Sequence, residues 1–196
     1  MRDVHGRPGV PPPRPLPGRL ARCLHDIRAA SWFAALGEAL TQAERWEAQA
    51  YLAALGMRNF GIGAIADWAE AARTAQSPAW SHEWWDREEQ ERQRLLALAG
   101  AGEDQNKVLG VLSEATEAAS TLVHGAAAIA AARAGVADQS LIRVAAGAAT
   151  QASYQAALAE LALGKGAAEH AFTIKFRLYQ AGRWPLGIVG DRFHLF

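Results

Sequence analysis

Two stretches decide the fold. They are Gln105–Gly135, QNKVLGVLSEATEAASTLVHGAAAIAAARAG, and Asp138–Leu163, DQSLIRVAAGAATQASYQAALAELAL. Alanine is the best helix former, and both stretches are long enough to be the longest helices of a bundle. In the second, Leu141, Ala145, Ala148, Ala152, Ala156 and Ala159 fall on one stripe at helical spacing. In the first, Ala115, Ala119, Leu122, Ala126 and Ile129 form a matching stripe. Small side chains let two helix axes approach at the near end of the usual range. Gly135 can take a left-handed cap and Asp138 can cap the next helix. The expectation is a central, close-packed, antiparallel alanine-rich pair.

Five more helices are legible around that pair. One spans about Arg19–Leu36. A second opens at the capping box Thr41-Gln42-Ala43-Glu44 and stops near Gly56, and a third spans about Ala64–Ala75. A fourth starts at Pro78 to Ser81 and is closed by Gly100 and Gly102. The last runs from Ala167 to Gln180. Met57–Gly63 reads as a turn, and Leu186–Val189 is too short and too glycine-bounded to count as a strand. The fold class is therefore all-α, a single helical bundle of six or seven helices at residues 19–181. Residues 1–18 hold six of the eight prolines and read as an extended leader. Residues 182–196 end in Phe193, Leu195 and Phe196, too apolar to stand in water, and are expected to dock on the bundle or on a second subunit.

The 196 residues suit one domain, large enough to fold without disulfides. Half the chain is hydrophobic (51%), 20% is charged, and the formal net charge is zero. No basic block exists to neutralise phosphates, which argues against nucleic acid. A neutral surface favours self-association, so a homodimer is expected. The apolar run Ala118–Ala134 is interrupted by His124 and Arg133, which argues against a membrane span. The single cysteine, Cys23, falls between Leu20 and Leu24 and reads as a small buried residue. These features fit a soluble, cytoplasmic protein, and the arginine and alanine usage fits a GC-rich bacterial genome.

Three groups could carry chemistry. Glu114, Glu117, Thr121 and His124 lie along one face of the first alanine-rich helix. Glu114, Glu117 and His124 are the candidate metal ligands, or a base and its partner. The bland reading of this line is a solvated helix edge. Glu88/Glu91 and Glu114/Glu117 are two Glu-x-x-Glu pairs, which on adjacent helices could hold Mg²⁺. Their arrangement resembles the all-α nucleotide pyrophosphohydrolases of the MazG type. Arg87 stands where that pattern has its first Glu, and Glu117 where it has its final Asp. The resemblance implies a metal-dependent hydrolase. Without it, Glu88–Arg94 reads as an exposed face with a Glu88–Arg92 pair. The third group is Trp80, Trp84 and Trp85, where Trp80 and Trp84 are helical i, i+4 neighbours and Trp85 sits beside them. Aromatic walls suit a planar cofactor or an apolar ligand, though tryptophan at this spacing also serves as plain core. Nucleotide-loop, dinucleotide-loop, serine-elbow, zincin and Cys-x-x-Cys motifs are all missing. The leading expectation is a binding or accessory protein that recognises an apolar ligand or a protein segment. The alternative is a metal-dependent enzyme using the Glu and His residues of the central helices.

Overall fold

Residues 18–102 and 105–196 are described by a computed structural model. The helices are α1 (Gly18–Ala29), α2 (Gln42–Ala54), α3 (Trp68–Ala75), α4 (His82–Gly102), α5 (Gln105–Arg133), α6 (Gln139–Leu163) and α7 (Ala171–Gln180). A short 3₁₀ segment, Gly164–Glu169, joins α6 to α7. The described residues also form three strands: β1 (Gly61–Ala64), β2 (Pro185–Val189) and β3 (Arg192–Leu195). The protein is a helical bundle with one small sheet. The residues 1–17 of the expected leader lie outside the described residues.

α6 is the axis of the bundle. It packs on α5, α4, α7 and α1, and Leu141, Ala145, Ala149, Ala152, Ala156 and Ala159 are all buried. Asp138 caps it, accepting from the amides of Ser140 and Leu141. α5 is its antiparallel neighbour, but it presents a different face from the expected one. Ala115, Ala119, Val123, Ala127 and Ala131 are buried, while Leu122 and Ile129 are 41% and 56% exposed. The reason is steric. The line of four alanines and one valine is the narrowest face of α5, so turning it inward brings the axes closest. The larger Leu122 and Ile129 are left outside, and α5 is a flank rather than a centre.

The C-terminal residues form strands instead of the expected loop. β2 and β3 are an antiparallel hairpin, and Gly190 (φ +61°) opens its two-residue turn. β1 joins β3 in parallel, with Ile62 opposite Phe193 and Gly63 opposite His194. Trp184 and Phe196 exchange two backbone hydrogen bonds that extend the hairpin. Phe193 and Leu195 point into a core shared with Tyr51, Leu52, Trp84, Ile174 and Leu178. His194 alternates to the other side, where Gly63 makes room: a Cβ there would lie 2.9 Å from its Nδ1.

Before α2 the chain turns sharply. Trp32 donates its indole N–H to the Ile27 carbonyl (3.1 Å), and Phe33 takes φ +58°. That conformation is costly for a bulky residue. It is held because Phe33 is buried edge-on against Tyr179. The capping box of α2 is present, with Glu44 accepting from both the amide and the hydroxyl of Thr41. Among the described residues, no helix is long and apolar enough to cross a membrane.

Candidate functional site

α4 starts at a serine cap, where Ser81 Oγ accepts from the Trp84 amide (3.3 Å). From that start, Trp84 and Glu88 point inward one turn apart, both less than 5% exposed. A carboxylate in such a place costs several kcal/mol unless it is paired. Lys175 of α7 pairs it, donating to both Glu88 oxygens at 2.7 and 2.8 Å. Tyr51 of α2 donates to Glu88 Oε1 (2.5 Å), and the Trp84 indole donates to the Tyr51 hydroxyl (2.7 Å). Lys175 also lies 5.4 Å from the centre of the Trp84 ring and 3.4 Å from Gln155 Oε1 of α6. The cluster therefore ties together four helices around a neutral ion pair. Burial, with the Glu88 charge beside it, pushes the Tyr51 phenol well above its usual range, so it stays a donor.

Above this cluster lies a cleft of about 200 Å³. Trp80, Trp84 and Trp85 wall one side, α6 supplies Ala148 and Gln151, and Pro185 and Leu186 of β2 close the end. Trp80 stands edge-on to Trp84 (5.5 Å) and tilted to Trp85 (6.4 Å). Trp84 is buried and Trp85 is 43% exposed, so the wall grades from core to solvent. Gly187 sets this wall from beneath. Its φ is +123°, and a Cβ there would lie 2.8 Å from Trp80 Nε1 and 2.9 Å from the Trp84 ring. Only glycine allows both indoles to lie on the strand.

Tyr179, one turn after Lys175, forms part of the cleft wall. Its hydroxyl is fully buried and has no hydrogen-bond partner. Burial raises its pKa well above the usual phenol value, and the Glu88 charge raises it further. The Gln155 amide nitrogen is likewise buried and unpartnered.

The other sequence candidates do not converge. Glu114, Glu117 and His124 are all exposed on the outer side of α5. Glu117 accepts from Ser113 Oγ (3.1 Å), and His124 Nδ1 lies 2.7 Å from the Ser120 carbonyl. Among the described residues, no three His, Cys, Asp or Glu side chains come together as a metal site. Glu88 and Glu91 part company as well. Glu88 is buried with Lys175, and Glu91 turns to Arg94 (2.6 Å) and His170 (2.6 Å). Arg92 pairs with Glu89, not with Glu88. The four carboxylates thus form no cradle of the pyrophosphohydrolase kind.

His170 is occupied at both ring nitrogens. Nδ1 accepts from the Phe172 amide as the cap of α7, which leaves Nε2 to donate to Glu91. That arrangement fastens α7 to α4 and leaves no free lone pair for a base. Arg94 and His170 hold the Glu91 carboxyl down to about 2. Cys23 sits beside a groove of about 560 Å³ between α1 and the 3₁₀ segment. Burial and the charges of Glu160 and Asp26 push its thiol up to about 12, so it is no nucleophile at neutral pH.

No family model, curated protein or solved structure matches the chain. The site rests on its geometry alone.

Proposed function

We propose that this protein is a binding protein that takes a small, largely apolar ligand between Trp80, Trp84 and Trp85. The observation that supports this reading is the junction of two features in one place. An aromatic wall offers large apolar contact area, and Glu88, Gln151 and Lys175 beside it offer a few polar groups. Recognition pockets for small molecules have that composition. The ion pair is a poor catalyst: Lys175 sits as an ammonium between two carboxylate oxygens, without a lone pair to attack with. The cleft is smaller than a drug-sized pocket, so the ligand is compact.

The test is ligand-observed NMR with a set of compact phenyl-bearing fragments. Fragments are expected to bind the wild-type protein, and Trp85→Ala is expected to weaken them tenfold or more while the fold stays intact. Retention of full affinity in Trp85→Ala, or binding by no fragment, overturns the reading.

Self-association fits the outer face of α5. Ala118, Leu122, Gly125, Ile129 and Ala132 are spaced four-three-four-three; the last four are exposed, and Ala118 is half-buried at the edge of the core. That is the spacing of a coiled-coil seam. Small and large residues alternate along it, so an antiparallel second copy can set Leu122 and Ile129 over the partner's small positions. The same direction brings the Arg133 end of one helix toward the Glu114 and Glu117 end of the other. Wild-type protein is expected to sediment as a dimer, and the double change Leu122→Glu, Ile129→Glu as a folded monomer. A wild-type monomer at high concentration refutes the pairing.

A further inference from the structure

We infer that Ala148 sets the size of the ligand, and that the cleft takes a single six-membered ring. This rests on the cleft being a ligand site, and it adds the ligand's size class and the residue that selects it.

Alanine serves two ends along α6. Ala145, Ala149, Ala152, Ala156 and Ala159 are all 2% exposed or less, and their smallness lets neighbouring helices come close. Ala148 is different, because it is half-buried and lines the cleft. Val144 and Gln151, one turn to either side of it on the same face of α6, line the cleft as well. Val144 is 51% exposed and marks the mouth. The methyl group of Ala148 therefore borders the space in front of the tryptophan wall.

That space is kept open against the ordinary rules of packing. Protein interiors are close-packed, and a gap beside large rings loses their contacts. A leucine at position 148 would reach into the gap and fill part of it. The chain carries a single methyl group there, and a cleft of about 200 Å³ remains. The polar lining does not require the space either. Glu88 and Lys175 line the cleft but close on each other at 2.7 and 2.8 Å. Functional sites are where packing rules are broken, and where a more stable sequence is a less active one.

The volume gives the size of the occupant. An apolar cavity of about 150 Å³ in another protein binds one benzene molecule. The cleft of about 200 Å³ thus suits one six-membered ring with a small substituent. Two fused rings leave part of themselves outside it. Buried apolar area alone favours the larger ring system, so preference for the smaller one is the signature of a size limit.

The experiment uses toluene and 1-methylnaphthalene, one ring against two with the same substituent. Affinities are measured by NMR titration on the full chain, as wild type, Ala148→Val and Ala148→Leu, and melting temperatures by calorimetry. Wild type is expected to bind toluene more tightly than 1-methylnaphthalene by roughly tenfold or more. Ala148→Leu is expected to weaken toluene by roughly tenfold or more. It is also expected to melt higher than wild type, because leucine fills the space the ligand would occupy. Ala148→Val is expected to bind toluene with an affinity between the two. Equal or tighter binding of 1-methylnaphthalene to wild type overturns the size limit and leaves the aromatic cleft in place. Full toluene affinity in both variants shows that Ala148 is not the selecting wall. An Ala148→Leu protein that melts lower, or does not fold, shows that there is no room in front of position 148 and overturns the inference without any ligand. Binding of neither compound to wild type removes both the inference and the reading beneath it.

Discussion

Lys175→Met lowers the stability of this protein by about 3–5 kcal/mol, the cost of leaving a buried carboxylate without its cation. The side chains of Lys175 and Glu88 are 6% and 3% exposed, so water cannot replace the lost partner. Tyr51 still donates to Glu88 Oε1, but one neutral hydrogen bond does not offset a buried charge. For a chain of this length the melting temperature falls by roughly 6–20 °C. Glu88→Gln strands the ammonium in the same way and is expected to cost a similar amount. The double change Glu88→Gln, Lys175→Met removes both charges, and apolar or neutral replacement of a whole buried pair is often harmless. Its stability is expected to lie within about 1–2 kcal/mol of wild type, so the cycle yields a coupling of several kcal/mol. Urea unfolding of the four proteins measures it. Additive losses in the double variant would mean that packing, and not the pairing of charge, ties α4 to α7.

The same cluster shows where the sequence could be read and where it could not. The alanine-rich pair, the Thr41 capping box and the Asp138 cap are written in spacings of four residues or fewer, and each appears in the structure. Trp80 and Trp84 do meet, but not as the helical neighbours expected: Trp80 precedes α4 and bridges to Val189 of β2. The polar floor is different, because Glu88 and Lys175 are 87 residues apart and no local pattern pairs them. A weaker signal was nevertheless present. Glu88 lies on the apolar stripe Trp84, Glu88, Leu95, Ala99, where a solvated charge has no place. Lys175 sits between Ile174 and Phe176, one turn before Tyr179, all of them buried. A lone charge inside a core stripe asks for a partner elsewhere in the chain, and two such charges of opposite sign ask for each other.

Two other misreadings have equally local causes. Glu114, Glu117 and His124 share a helix face, but sharing a face does not say that anything covers it, and α5 leaves it open. The strands were hidden by glycine and by brevity. Yet Arg192-Phe-His-Leu alternates outward and inward with the period of a strand, and Gly190 before it is where a tight hairpin turns. What no local pattern contained was β1, because its pairing partner lies more than a hundred residues further on.

Arg183→Met is the second change of large expected effect, again about 3–5 kcal/mol. The Arg183 side chain is 2% exposed and spends all its donors in one place. Nε and Nη2 reach Glu44 (2.6 and 3.2 Å), Nη1 reaches the carbonyls of Ala35 and Glu38, and Nη2 reaches that of Ala39 (3.0 Å). One guanidinium thus closes the turn before α2 and holds its capping glutamate, while the next residue, Trp184, lines the cleft. Lysine cannot reproduce the fork, so Arg183→Lys is expected to recover only part of the loss. The pH dependence separates the carboxylate from the carbonyls. Burial alone raises the Glu44 pKa, but hydrogen bonds from Arg183 and Thr41 outweigh it and hold the carboxyl below the ordinary carboxylate range. A folded pKa below the unfolded one means stability that is present above pH 4.5 and is lost as pH falls through the folded value. Without Arg183 the burial effect gains weight, the folded pKa rises, and that acid loss shrinks. The gap between wild type and Arg183→Met is therefore expected to be widest near pH 7 and to narrow on acidification below the ordinary carboxylate range. Denaturant titrations at neutral and acid pH decide it. A gap that stays constant would assign the arginine's contribution to the three carbonyls and to packing, with Glu44 only a neighbour.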